Sequence, residues 1–174
     1  MGEKTTDESQ SSGELMTLRL VLRPFPWDAV CAIVAGHRLD DWSPDYPTDG
    51  DTVIAGILHG AGPPGDDGDV RWGHWQVVER SSGLVIGGIG FMSPPADGEV
   101  EVGYGIAPAR QGRGYATEAT AAAVAYATAA GTVTAVVAGV DHDNVASQRV
   151  LENAGFRCIE RGDDPWRYRR ALAV

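Results

Sequence analysis

Lysine and cysteine are almost missing from this chain of 174 residues. Lys4 is the only lysine, beside thirteen arginines, and the formal net charge is −10. Nonspecific nucleic-acid binding needs a cationic surface, so this charge balance argues against a nucleic-acid partner. Cys31 and Cys158 are isolated, and neither has metal-ligand spacing around it. The sequence therefore predicts free thiols, no bound metal and a cytoplasmic location.

Long apolar runs are also missing. Without a run of about eighteen apolar residues, we expect no membrane-spanning helix and no membrane partner. Residues 1–13 are polar and lack the apolar core of a signal peptide, so they are predicted to form a disordered tail. Residues 14–174 are long enough for one domain with a core of its own. The acidic composition suits a cationic amine as substrate, although acidic surfaces mostly keep proteins soluble.

Apolar periodicity and turn residues predict a mixed order of strands and helices. Strands are predicted over residues 18–22, 72–79, 84–92, 99–106, 133–140 and 166–172. Helices are predicted over residues 27–36, 52–59, 117–130 and 144–154. Antiparallel strands followed by a strand–helix–strand unit are typical of a mixed α/β fold.

A glycine-rich turn joins the predicted strand 99–106 to an alanine-rich helix. Gly112 and Gly114 allow the backbone to turn tightly and to approach a ligand closely. Arg110 and Arg113 add positive charge, and the helix begins where its dipole is positive. The turn is therefore suited to a phosphate group. The competing interpretation is a tight strand-to-helix connection with no ligand.

The turn matches neither common nucleotide motif. No Lys-Ser or Lys-Thr pair follows a glycine, which excludes the mononucleotide loop, and the third glycine of G-x-G-x-x-G is absent. What remains is the pattern Q/R-x-x-G-x-G/A, filled by Gln111, Gly114 and Ala116. This pattern resembles the acyl-CoA pyrophosphate loop of the GNAT N-acetyltransferase superfamily.

Two further segments strengthen the resemblance. Residues 18–25 resemble the first strand, and residues 144–156 the last helix and exit turn, of the branch that includes the ribosomal-protein alanine acetyltransferases (RimJ/RimL-like). The three segments come in the family's order and spacing. The resemblance implies a six- or seven-stranded mixed, mostly antiparallel sheet, flanked by helices and split like a V near the cofactor. It also implies acetyl-CoA as co-substrate and makes a homodimer possible.

By resemblance, acetyl-CoA binding falls to one group of residues. They are Tyr104, Ile106, Gln111, Gly112, Arg113, Gly114, Tyr115, Ala116, Asn144 and Ser147. In relatives a β-bulge splays the strand before the loop, and the pantetheine arm pairs with the exposed backbone. Gly103 and Gly105 suit such a close approach, although close sheet–helix packing would use them equally well. Asn144 also suits a simple helix N-cap.

The implied reaction is direct acetyl transfer to an amine, and a protonated amine must first lose a proton to a base. Glu101 is the first candidate, Glu99 the second and His74 an alternative; each also suits a purely structural position. In many relatives a tyrosine acts as the general acid for the departing CoA thiolate, and this chain has Leu151 at that position. Ser147, one turn earlier, is the candidate that hydrogen-bonds the departing thiolate, unless it is only a surface serine.

The acceptor pocket is predicted to have aromatic walls. Trp42, Tyr46 and Trp75 are the candidates, with Trp72 beside them, although aromatic residues more often belong to a core. We expect the acceptor to be a primary amine of a small molecule or of a protein N-terminus. The alternative function is a noncatalytic acyl-CoA-binding or sensing module, because the family's tyrosine is missing.

Overall fold

The structure, a computed structural model, describes residues 13–63, 72–163 and 165–173. The strands are β1 (Leu15–Met16), β2 (Leu20–Pro24), β3 (His74–Glu79), β4 (Val85–Phe91), β5 (Glu99–Ile106), β6 (Ala135–Val140), β7 (Arg157–Glu160) and β8 (Trp166–Ala171). The helices are α1 (Trp27–Val34), α2 (Asp49–Ala61), α3 (Tyr115–Ala129) and α4 (Val145–Asn153), with a 3₁₀ turn at Pro108–Arg110. The predicted disordered tail, apart from Gly13, lies outside the described residues.

All eight strands form one sheet in the order β1-β2-β3-β4-β5-β6-β8-β7. The predicted mixed α/β fold is confirmed, with more strands than the expected six or seven. The two strands that sequence reasoning missed lie at the edges of the sheet. β1 has two residues, and β7 is largely exposed, so neither shows the apolar alternation by which a strand is recognised.

The sheet opens between β5 and β6. These two strands pair in parallel over three residue pairs only, from Glu99 with Ala135 to Glu101 with Val137. On its other side β5 stays paired with β4 as far as Ile106, without a register shift. The prediction of a bulge in β5 is therefore wrong. A register shift is found instead between β3 and β4, at Val77 and Val78. The V-shaped split arises because β6 leaves β5 after Glu101.

The helices cover the sheet on both faces. The larger core lies under α3 and α4 and takes in buried residues of the central strands, such as Val102, Val136 and Tyr168. A smaller core lies with α1 and α2, around Val30, Tyr46 and Ala55. β6 is buried along most of its length, which explains its run of valines. Within the described ranges, no helix is both long and apolar enough to cross a membrane.

Candidate functional site

The loop before α3 forms an anion-binding geometry from backbone alone. Gly112 and Gly114 adopt φ angles of +71° and +80°, in the left-handed region that favours glycine. Gly114 is the N-cap of α3 and provides no side-chain cap, and the first helical hydrogen bond runs from Glu118 N–H to the Gly114 carbonyl. Within the described residues, the N–H groups from Gly112 to Thr117 donate to no protein acceptor. They lie at the positive end of the helix dipole, where a phosphate is stabilised.

Buried side chains hold this loop in place. The Tyr115 hydroxyl donates to Glu79 Oε1 at 2.6 Å, and Arg110 Nε lies 3.4 Å from Glu79 Oε2. Arg19 covers the Tyr115 ring at 4.6 Å and donates to the Arg113 carbonyl at 2.8 Å. Hydrogen bonds from Ser82 and Tyr115 lower the pKa of Glu79, so this carboxylate stays charged. Tyr115 therefore positions the loop through Glu79.

Three other predicted cofactor residues occupy different places in the loop. Gln111 donates from its side chain to the Ile106 carbonyl at 2.8 Å, and its backbone N–H donates to Pro108. Gln111 thus closes the end of β5 with its side chain and backbone. Arg113 is exposed, and Ala116 is half-buried in the first turn of α3. Arg113 is the loop cation best placed to meet an anion from solvent.

The split between β5 and β6 forms a cleft of about 190 Å³ that ends at α4. The Tyr104 hydroxyl donates to the Ser147 carbonyl at 3.1 Å, and burial raises the pKa of Tyr104 to about 12. The Asn144 side chain caps α4 by accepting from Ser147 N–H at 3.0 Å. The Ser147 hydroxyl has no hydrogen-bond partner among the described residues, so it is free to bond a ligand in the cleft.

The two candidate carboxylates of β5 differ in their surroundings. Glu99 accepts hydrogen bonds from Arg169 at 2.8 Å and from Arg167 at 2.7 Å. These arginines, chiefly Arg169, lower the pKa of Glu99, so this carboxylate is a poor base. Glu101 is exposed and forms no ion pair in the described part of the chain. Its Oε1 lies 3.6 Å from the point where a Cβ on Gly139 would sit. Because Gly139 lines the cleft, Glu101 lies at its rim.

A second pocket, of about 300 Å³, lies on the opposite face, between α2 and the central strands. Its floor consists of the glycines of two cross-strand pairs, Gly88 with Gly105 and Gly90 with Gly103. Burial shifts the pKa of two ionisable side chains in it. Burial raises the pKa of Asp51 to about 6, and burial lowers the pKa of His74.

The predicted aromatic walls belong to the cores. Trp42 and Tyr46 are buried and contact each other edge to face, with ring centroids 5.1 Å apart. The Trp75 ring packs on the α3 face, against Phe91 and Tyr126, because β3 alternates and His74 takes the pocket side. Trp72 packs against the same two rings. The four rings pack in the cores, although Trp75 also borders the pocket, whose other walls include Phe25, Met92 and apolar residues of α2.

Sequence reasoning missed Asp51 and the glycines of β4. A signal for Asp51 was present, since Thr48 and Asp51 stand three residues apart at the start of a helix, as in a capping box. That signal predicts only a helix start. The position of the carboxylate over the sheet depends on how α2 packs across β4 and β5, which the local sequence does not specify.

The sequence matches the acetyltransferase (GNAT) domain family over residues 19–157. The uncharacterized N-acetyltransferase YjdG of Bacillus subtilis (strain 168) is 30% identical over 92 residues. That match spans about half of each protein, 52% of this chain and 55% of YjdG.

Solved structures share the fold. An acetyltransferase (GNAT family) from Bacillus anthracis aligns with a TM-score of 0.62 at 22% identity, covering 91% of this chain and 97% of its own. Mycobacterium smegmatis RimJ, solved in complex with CoA-disulfide, aligns with a TM-score of 0.57 at 22% identity, covering 87% of this chain and 81% of its own. With a family match over most of its length, this chain belongs to the GNAT acetyltransferase family.

Proposed function

We propose that this protein transfers the acetyl group of acetyl-CoA to a primary amine of a small molecule or of a protein N-terminus. One observation carries the proposal. The cleft between β5 and β6 and the pocket on the opposite face share Gly103 and Tyr104 as lining residues. Ligands entering from opposite faces would meet at this stretch of β5. Group transfer needs such an arrangement, because donor and acceptor must be held next to each other.

The donor side suits the parts of acetyl-CoA. The free N–H groups from Gly112 to Thr117 suit its pyrophosphate. Beyond Glu101, the edge of β5 has lost β6 as a partner, so backbone groups there are available to the amides of the pantetheine arm. Asn144 and Ser147 border the same cleft. When bound there, acetyl-CoA supplies the acetyl thioester.

Glu101 is the base in this proposal. An amine acceptor is mostly protonated at neutral pH, and it becomes a nucleophile only after it loses a proton. Glu101 suits this role because it forms no ion pair with any described residue and lies at the rim of the cleft, whereas Glu99 is held by two arginines. Water can carry the proton from the amine to an exposed carboxylate at this position.

Ser147 donates a hydrogen bond at the thiol end of the cleft in this proposal. Its hydroxyl is free, and its backbone is fixed by Asn144 on one side and Tyr104 on the other. Leu151, where many relatives have tyrosine, is fully buried in the core. Ser147 therefore supplies a hydroxyl that Leu151 cannot. A cytoplasmic location and a homodimer stay predictions of this proposal.

Thiol release tests the proposal. The purified protein is incubated with acetyl-CoA and a panel of n-alkylamines, a polyamine and short peptides with free N-termini. We expect free CoA to appear only in the presence of an acceptor, with a product heavier by one acetyl group. Glu101→Gln should lower kcat and remove the acidic limb of the pH–rate profile.

Glu99→Gln is the matched control, because it changes the neighbouring carboxylate on the same face of β5. It should lower stability by breaking two ion pairs and leave the acidic limb in place. Calorimetric binding of acetyl-CoA without thiol release for any amine would favour the noncatalytic acyl-CoA-binding module. No acetyl-CoA binding at all would contradict both functions.

A further inference from the structure

The pocket on the α2 face is apolar apart from two ionisable side chains. Its walls include Phe25, Val53, Ile54 and Met92, and its floor is the backbone of four glycines. Asp51 enters from the first turn of α2, and His74 from the first residue of β3. The chemistry of these two groups therefore decides which acceptors the pocket can take.

Asp51 divides its two oxygens between the helix and the pocket. Oδ2 accepts from the backbone N–H of Thr48 at 2.9 Å and from the Thr48 hydroxyl at 2.6 Å, which completes the cap of α2. Oδ1 lies over Gly88, where an added Cβ would approach it to 2.1 Å. Among the described residues Oδ1 has no hydrogen-bond donor. A side chain at position 88 would occupy the space that this oxygen faces.

This carboxylate is buried without a counter-ion. Asp51 is 5% exposed, and in the described ranges no arginine or histidine forms an ion pair with it. Burying a charge in an apolar site is costly unless a partner compensates it. The capping box of α2 does not require a charge at this position, since a neutral glutamine serves at N3 as well as a glutamate. A cationic ligand would supply the missing partner.

His74 leaves this negative charge uncompensated. Its Nδ1 lies over Gly90, two residues along β4 from Gly88, which is about 7 Å at the rise of an extended strand. Burial lowers the pKa of His74, so the imidazole is mostly neutral at neutral pH. The pocket thus presents one anionic oxygen within apolar walls.

We infer that Asp51 determines the specificity of the acceptor pocket, with Oδ1 binding the ammonium group of a primary amine that has an apolar body. This inference rests on the function proposed above and narrows its substrate class. Acceptors with a carboxylate beside the amine are disfavoured, because a second anion would enter the same apolar space. The interaction forms when the acceptor binds, so it acts on KM, while the proton is removed in a later step.

Binding of n-alkylamines and n-alkanols of equal length, from four to eight carbons, tests the inference directly. The two series share the apolar body and differ in charge at pH 7.5. Calorimetric titrations with the CoA-loaded protein should give tighter binding for each amine than for its alcohol. Asp51→Asn should remove this preference and weaken amine binding roughly tenfold to a hundredfold, as expected for one hydrogen bond to a charged group.

Asp49→Asn is the matched control, because Asp49 is exposed in the same first turn of α2. It removes an equal charge from the same helix end and should keep the preference for amines. Asparagine at position 51 can still accept from the Thr48 N–H, and circular dichroism with a thermal melt checks that the variant folds. Equal binding of amines and alcohols by the wild type, or no binding of either, would overturn the inference.

Kinetics adds a second readout. For the amine of the panel that turns over fastest, Asp51→Asn should raise KM and leave kcat within a few-fold. A lower kcat at unchanged KM would overturn the inference, since it would place Asp51 in the proton-transfer step. Acetyl-CoA affinity is independent of Asp51. A wild-type protein that does not bind acetyl-CoA would refute the proposed function. A wild-type protein that binds acetyl-CoA but shows no preference for amines would refute only the role of Asp51.

Discussion

The hydroxyl of Tyr104 donates to the backbone carbonyl of Ser147 at 3.1 Å and thereby joins β5 to α4 across the open end of the sheet. β5 and β6 have already separated at Tyr104, because their pairing ends at Glu101. The hydrogen bond to Ser147 therefore holds β5 near α4 where no strand pairing does so. It leaves the Ser147 hydroxyl free beside the cleft. Two hydroxyl groups in one cleft thus have different tasks, one structural and one available to a ligand.

A pair of substitutions separates these tasks. Ser147→Ala should lower kcat roughly tenfold to a hundredfold and leave acetyl-CoA affinity nearly unchanged, as expected for an interaction made mainly in the transition state. Tyr104→Phe should instead lower the free energy of unfolding by about 1 kcal/mol, the net value of a hydrogen bond. Steady-state kinetics and urea unfolding of both variants provide the measurement. If Ser147→Ala had the kinetics of the wild type, Ser147 would make no contact that contributes to catalysis.

Positive φ angles allow a matched test of the loop. Gly112 and Gly131 have φ angles of +71° and +68°, and an added Cβ would meet nothing within 4 Å at either position. Alanine at each should therefore cost a similar 1–2 kcal/mol or so of backbone strain. Only Gly112→Ala should weaken acetyl-CoA binding, because only that Cβ would lie between the ligand and the free N–H groups. Thermal shift with acetyl-CoA measures the difference. Equal shifts in the two variants would contradict the loop assignment.

Glu79 offers a test of the support beneath the loop. Tyr115→Phe removes the bond from the loop to Glu79 Oε1, and Ser82→Ala removes the bond from the hairpin to Oε2, each 2.6 Å long. Both should destabilise the fold by about 1–3 kcal/mol, because each removes a donor from a buried carboxylate. Only Tyr115→Phe should also raise the Kd for acetyl-CoA, by a few-fold. Calorimetric titration distinguishes them, and an unchanged Kd in Tyr115→Phe would show that the loop holds its shape without Glu79.

Local sequence determined much of the fold and one half of the candidate site. The loop at Gly112 and Gly114, the helix cap at Asn144 and the alternation along β5 are all local patterns, and each predicted its position along the chain. They indicated the proposed donor side, because a glycine turn and a helix start create an anion site from neighbouring residues.

The acceptor side depends on contacts between distant segments. Gly88 lies under Asp51 only because α2 crosses the sheet there, and the ring of Trp75 turns away only because His74 takes the pocket face. The sequence predicted Trp75 as an aromatic wall of the pocket. Trp75 borders the pocket, but its ring packs on the α3 face against Phe91 and Tyr126. No local pattern states which face of β3 meets the pocket.

Burial of the Asp51 carboxylate has an energetic cost that depends on pH. Burial raises its pKa from 3.8 to about 6, so the folded state holds a proton more tightly than the unfolded chain does. Between about pH 4 and pH 6, folding is therefore linked to proton uptake, and stability falls as the pH rises through this window. Above pH 6 the full cost is present, on the order of 3 kcal/mol for a shift of about two pKa units.

Asp51→Asn removes this cost and keeps an acceptor for the Thr48 N–H. The stability of Asp51→Asn relative to the wild type should therefore rise between pH 4 and pH 6 and stay constant above pH 6. Urea unfolding at four pH values from 4 to 7.5 measures it. Burial lowers the pKa of His74 in both proteins, so taking the difference between them isolates Asp51. The exposed control Asp49→Asn should show no comparable rise. If Asp51→Asn were equally destabilising at every pH, the carboxylate would serve only the cap of α2, whereas a rise would mean that the fold retains a buried charge at a cost in stability.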